Sequence, residues 1–195
     1  MDEVEELIQM ILNKPIERMT YQELFQRYVN LNPHIATLTE IQQCVQQHQI
    51  HLSTRDLPRD TWLDIIMTHV IEPQLLNTLV FVYDFPPSQA ALARVRPGEI
   101  SLAERFELYV NGIELANGFH ELTDADEQHQ RFVQDNKIRA EQNLPILPID
   151  NYLISALRSG MPQCAGVALG VDRLVMLALE VPKLADILSF TADRV

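Results

Sequence analysis

Two acids, Glu107 and Glu114, flank an Asn111-Gly112 pair in the stretch RFELYVNGIELANGFHEL. Asn-Gly is the preferred pair for a two-residue type I′ turn. That turn pairs Val110 with Ile113, Tyr109 with Glu114 and Glu107 with Ala116. Glu107, Tyr109 and Glu114 then share a face, and the two acids become diagonal neighbours with Cβ atoms roughly 7 Å apart. Like charges that close repel. A divalent cation between them removes the repulsion, and hard oxygen ligands suit magnesium or manganese. Magnesium keeps several waters and takes one or two carboxylates plus substrate phosphates, which points to a nucleotide. The competing reading is a plain solvated outer face, the rule for antiparallel sheets.

The same register raises a parity conflict. Strict alternation puts Asn117, Phe119 and Glu121 on the face of Leu108, Val110, Ile113 and Leu115. An amide and a carboxylate would then be buried among aliphatics, which costs a few kcal/mol unless they are hydrogen-bonded. A bulge between Leu115 and Gly118 reverses the parity, and glycine in a strand often marks one. Asn117, Phe119 and Glu121 then join the two acids on one surface. An amide, an aromatic wall and a carboxylate beside a metal pair suit a small ligand that carries an amine.

A second candidate lies in GVALGVDRLVMLAL, which reads strand into helix. Gly166, Ala168 and Gly170 share one strand face with almost no side-chain volume, against which a flat ligand can lie. Arg173 falls in the first helical turn, where the helix dipole favours an acid. A cation there hints at an anionic partner such as phosphate. Tight strand–helix packing and a solvated surface arginine explain the same residues without a ligand.

These segments need a frame to hold them. Residues 2 to 13 carry Val4, Leu7, Ile8, Ile11 and Leu12 at helical spacing. Thr20 with Glu23 and Thr37 with Glu40 form capping boxes that open two more helices. Asp60 is read as the cap of a helix ending near Pro73. TLVFVYDFP is a β-branched and aromatic strand, followed by the hairpin. Thr123 with Asp126 opens a long polar helix to about Gln142, and Asp150 a short one to about Arg158. CAGVALG is a strand, VDRLVMLALE a helix and ILSF a last strand. Helices first, then strands mixed with helices, define an α+β fold with a mainly antiparallel sheet. Residues 1–76 form the helical portion, and 77–195 the sheet with the glycine-rich strand and its helix.

Bulk properties close off other classes. The 195 residues are 47% hydrophobic, enough for a real core. Charges interrupt the longest apolar runs, so no membrane span is expected. The acidic N-terminus lacks the basic region of a signal peptide, which favours a cytoplasmic location. Cys44 and Cys164 match no metal spacing and read as reduced, mostly buried thiols. The net charge is −12, and Arg131, Lys137 and Arg139 make only a modest basic group. Nucleic acid, tRNA included, is not an expected partner.

FELYVNGIELANGFHELTDADEQHQRF, followed later by GMPQCAGVALGVDRLVMLAL, resembles the catalytic domain of class II lysyl-tRNA synthetases. The similarity is greatest to the paralogous family that attaches β-lysine to a lysine of elongation factor P, and it runs over essentially the whole chain. The resemblance implies a class II synthetase fold using ATP and Mg2+. It implies that Glu107 and Glu114 hold magnesium and ATP phosphates. It places Asn117, Phe119 and Glu121 in the lysine pocket with Ala168 on its floor, and Gly170 and Arg173 at the nucleotide, with Arg173 on the γ-phosphate. It also implies lysine or β-lysine as substrate, elongation factor P as acceptor, and a homodimer for the full-length form. Ala168 stands where lysyl-tRNA synthetases usually carry glycine. The chain begins with what resembles the helix after motif 2, so motifs 1 and 2 are expected to be missing and the chain to be inactive alone. The alternatives are a lysyl-tRNA synthetase fragment and a non-catalytic paralogue that binds an amino acid or a partner.

Overall fold

The computed structural model describes residues 1–54 and 56–191. Its elements run α1 (Asp2–Leu12), β1 (Glu17–Thr20), α2 (Tyr21–Val29), α3 (Leu38–Gln47), α4 (Arg59–Ile66), β2 (Leu79–Phe85), β3 (Val95–Arg96), β4 (Leu102–Val110), β5 (Ile113–His120), α5 (Ala125–Glu141), α6 (Asn151–Ser159), β6 (Ala165–Leu169) and α7 (Val171–Ala178). The sheet order is β1-β2-β4-β5-β6, with β3 paired to β4. Among the described residues, only the β1–β2 pair is parallel. The architecture is therefore α+β with a mainly antiparallel sheet flanked by helices.

β2 can be apolar on both sides because both faces of the sheet are covered. On one face, here called the front, Val80, Val82 and Tyr109 pack against Tyr21, Phe25, Leu63, Ile66 and Ile71 of the helical layer. On the back, Phe81, Leu108, Val110 and Leu115 pack against Val4 and Ile8 of α1 and Leu174 of α7. After α4 the chain winds through a π-helical turn (Met67–Ile71) and a 3-10 turn (Glu72–Gln74) before entering β2.

Local capping follows the sequence closely in places. Both capping boxes form, with Thr20 and Thr37 accepting from the backbone N–H of Glu23 and Glu40. Two caps differ. Pro58 occupies the N-cap of α4, and Asp60 lies inside the first turn, where its carboxylate accepts from Ser88 Oγ at 2.8 Å. The cap of α5 is Asp124, one residue past Thr123; its carboxylate accepts from the N–H groups of Asp126 and Glu127, while Thr123 Oγ1 accepts from Gln163. Asp150 caps α6 as expected.

Three strand assignments change. Residues 17–20, read as part of the helical portion, form β1; four mostly polar residues give no alternation signal, and their order comes from the parallel ladder on β2. The two-residue β3 is equally silent in sequence. ILSF is not a strand: the chain makes a 3-10 turn at Leu184–Asp186 and then runs irregularly, with Phe190 77% exposed. Three apolar residues around Ser189 need a neighbouring ladder to become a strand, and among the described residues none reaches them. Cys44 is buried, whereas Cys164 is only half-buried just ahead of β6.

Candidate active site

The Asn-Gly turn forms with φ of 53° at Asn111 and 77° at Gly112, as type I′ requires. Val110 pairs with Ile113 and Tyr109 with Glu114. The register then shifts. Leu108 pairs with Ala116 and Glu107 with Asn117, leaving Leu115 unpaired as the extra residue of a β-bulge. The parity change expected between Leu115 and Gly118 is thus present, but at the Leu115–Ala116 step. Leu115 and Ala116 both turn to the back-face core. The carbonyl of Leu115 accepts from Gly170 N–H at 2.9 Å, so the start of α7 holds the bulge in place.

Beyond the bulge the front face carries Asn117 opposite Glu107 and Phe119 opposite Arg105. On the other side, Asn117 pairs with Ala168 and Phe119 with Gly166. Glu121 continues on this face: its carboxylate lies over Gly166, where a Cβ would collide with Oε1. Glu107, Glu114, Asn117, Phe119, Glu121, Gly166 and Ala168 therefore line one surface. Arg173, in the first turn of α7, donates to the backbone carbonyl of Glu114. Gly170 sits at the N-cap of α7 with φ −75°, so its backbone does not demand glycine; its contribution is the N–H on the bulge.

A cleft of about 420 Å³ opens in front of the hairpin, lined among others by Tyr21, Glu72, Gln89, Arg105, Glu107, Tyr109 and Glu114. A second, of about 410 Å³, runs from Glu114 and Asn117 past Ala168 and Gly170 to Arg173. Glu114 stands between the two. A slightly larger hollow of about 480 Å³ beside α5, around Phe132 and Leu147, is distant in sequence and strand position from these residues.

Electrostatics mark the first cleft as over-supplied with negative charge. Burial pushes the Glu114 carboxyl above the usual range, Glu107 adds to the shift, and Arg173 and Arg105 oppose it. Burial, Glu107 and Glu114 in that order raise Glu72. Burial also raises Glu121, against a small opposing effect of His120. Tyr109 is raised by burial and then by Glu107, to whose Oε2 it donates at 2.6 Å. Glu107 is 8% exposed, and its other oxygen takes the Arg105 guanidinium and, at 3.5 Å, the Asn117 amide.

The donor set fits a hard divalent cation. A carboxylate offers about four lone-pair sites, of which Glu107 uses three, and two carboxylates with water or phosphate oxygens are what magnesium accepts. Among the described residues, no three His, Cys, Asp or Glu side chains form a metal-holding group.

Sequence reasoning missed Arg105, Glu72 and the role of Tyr109. Arg105 could have been found: it precedes Glu107 by two on the same strand, hence on the same face, and a buried carboxylate needs a cationic partner. Glu72 had no such signal, because a turn from the helical layer delivers it.

The fold is that of a class II synthetase-type catalytic domain. The chain matches the family model of tRNA synthetases class II (D, K and N) over residues 1–194, and it belongs to that family. It is 49% identical to the elongation factor P (R)-beta-lysine ligase of Salmonella arizonae over 100% of this chain and 61% of that protein. The ligases of the same description from Salmonella paratyphi B and Salmonella heidelberg are each 48% identical with the same coverage. The chain thus spans about 61% of the length of these relatives. Among the described residues, no helix is long and apolar enough to cross a membrane.

Proposed function

We propose that this chain is the C-terminal part of the catalytic domain of an ATP-dependent ligase. The ligase activates lysine or β-lysine as an aminoacyl-adenylate and transfers it to a lysine of elongation factor P in the cytoplasm. The observation that carries the reading is the single front face on which the bulge gathers Glu107, Glu114, Asn117 and Glu121. Identity to the ligases over the whole chain supports the acceptor and the amino acid.

In this reading Glu121 takes the ligand ammonium, with Asn117 and Phe119 beside it and Ala168 on the floor. Glu107 and Glu114 would hold magnesium, which offsets charge on the ATP phosphates. Arg173 with Gly170 faces the phosphate tail. The amino acid's carboxylate oxygen attacks the α-phosphorus and pyrophosphate leaves. The acceptor amine then attacks the acyl carbon, AMP leaves, and the amine loses its proton as the amide forms. The assembled protein would work as a homodimer, without tRNA.

The test is equilibrium binding of lysine and (R)-β-lysine to the chain, together with ATP–pyrophosphate exchange driven by each. Binding of at least one, lost in Glu121→Ala, is the expected result. Absence of both binding and exchange overturns the reading.

A further inference from the structure

One cation sits at the centre of the front face, and no role assigned above uses it. Arg105 is 16% exposed at its side chain. Its three guanidinium nitrogens reach three different segments. Nη2 donates to the Glu107 carboxylate, and Nε to Asn117 Oδ1 at 3.3 Å. Nη1 donates to the carbonyl of Gln89 at 3.0 Å. The guanidinium carbon stands 4.6 Å from the centre of the Phe85 ring. Gln89 is itself fixed: its Nε2 donates to Asp64 of α4 at 3.0 Å, beside the Ser88–Asp60 bond. A planar fork held by a carbonyl and a ring is a rigid support, unlike a free ammonium.

We propose that Arg105 is a positioning residue, which sets the orientation of the Asn117 carboxamide and the Glu107 carboxylate from an anchor in the Phe85–Gln89 segment. The proposal rests on the reading of this face as a cation and amino-acid site. Arg105 holds the Asn117 oxygen, so one amide N–H turns to Glu107 Oε1, 3.5 Å away, and the orientation of the carboxamide is fixed at both ends. Arg105 also competes for Glu107 with any cation that Glu107 and Glu114 bind. The two effects pull apart: the fork serves the amino acid, while the charge opposes the metal.

The experiment compares wild type, Arg105→Met and Arg105→Lys by three readouts. Side-chain amide NMR of Asn117, assigned with Asn117→Asp, reports orientation without any ligand. Mn2+ binding by EPR and lysine binding by calorimetry report the consequences. Arg105→Met is expected to collapse the dispersed Asn117 resonances toward random-coil values. It should tighten Mn2+ by about 3- to 10-fold, because a nearby like charge is gone. It should weaken lysine by about 10-fold, the worth of one or two well-placed hydrogen bonds. Arg105→Lys should return Mn2+ affinity to within about twofold of wild type while leaving lysine binding and the Asn117 signals impaired, since an ammonium has no fork.

Unchanged Asn117 resonances in Arg105→Met overturn the proposal. So does a lysine affinity that Arg105→Lys restores in full, which would make charge alone sufficient. If wild type binds neither Mn2+ nor lysine, the functional reading fails and the Asn117 resonances still decide the role of Arg105. Should Arg105→Met not fold, Arg105→Lys against wild type carries the same decision.

Discussion

The carboxylate of Glu121 lies directly over Gly166, which has no side chain to separate it from the strand backbone. A methyl at Gly166 would occupy the place of Oε1. The carboxylate is the free end of a flexible side chain, so it can swing aside at little cost to the fold. Gly166→Ala is therefore expected to leave the melting temperature within about 2 °C, while lysine binding falls by about 10–200-fold, the range for one misplaced methyl-sized group. Calorimetry with a thermal melt checks both. Normal affinity would place the ammonium somewhere other than Glu121.

Gly118 is confined for another reason. On the back of the sheet a Cβ there would stand 2.5 Å from the Phe106 ring and 2.8 Å from the Gly166 carbonyl oxygen. The ring could shift, but the carbonyl belongs to the β5–β6 ladder and cannot. Gly118→Ala should cost about 1–3 kcal/mol by overpacking. Urea unfolding of the variant measures this, and a loss below about 0.5 kcal/mol would show that the ladder yields.

Ala168 faces the front beside Asn117 and is open to the cleft. Lysyl-tRNA synthetases resemble this chain but usually carry glycine there. Under the proposed function, Ala168→Gly should raise the preference for α-lysine over β-lysine, by about 10-fold or more for one methyl. The ratio of binding constants for the two amino acids is the measurement. An unchanged ratio would remove Ala168 from the specificity surface.

His34 gives a pH dependence that has nothing to do with ligands. It packs 6.3 Å from Tyr21 between ring centres, and its Nδ1 is buried without a hydrogen-bond partner among the described residues. Burial depresses its pKa below the ordinary 6.5, Arg59 adds to the effect, and Asp84 opposes it. The unfolded chain therefore takes up the proton first as pH falls. Stability tied to His34 is full above about 6.5 and declines below it until the folded pKa is passed, with a slope under about 1.4 kcal/mol per pH unit. Denaturant unfolding at pH 7.5, 6.0 and 5.0 should show this slope reduced in His34→Gln. Parallel curves for the two proteins would mean that the imidazole is effectively solvated.

The sequence made the hairpin legible because Asn111-Gly112 is a local signal, read from two residues. The two threonine caps were legible for the same reason. The need for a bulge could be read from parity, but its place at Leu115 could not, because it is set by the Gly170 N–H at the end of β6, more than fifty residues on in the chain. Glu72 and the anchors of Arg105 were hidden likewise: the Gln89 carbonyl, the Phe85 ring and the turn after α4 meet only when the helical layer closes on the sheet. β1 was missed because its order comes from a partner strand rather than from its own residues. What neighbours along the chain decide was readable; what tertiary closure decides was not.

The bulge also governs which length changes β5 can accept. Side chains alternate with a period of two, and the extra residue at Leu115 consumes one half-period between Glu107 and Glu114 on one side and Asn117, Phe119 and Glu121 on the other. A single deletion or insertion between Glu114 and Asn117 would put Ala116, Gly118 and His120 on the front face in place of Asn117, Phe119 and Glu121. Length changes here can be tolerated only in pairs, so counting residues between Glu114 and Asn117 tests whether a related chain keeps its pocket on the correct side of its own sheet.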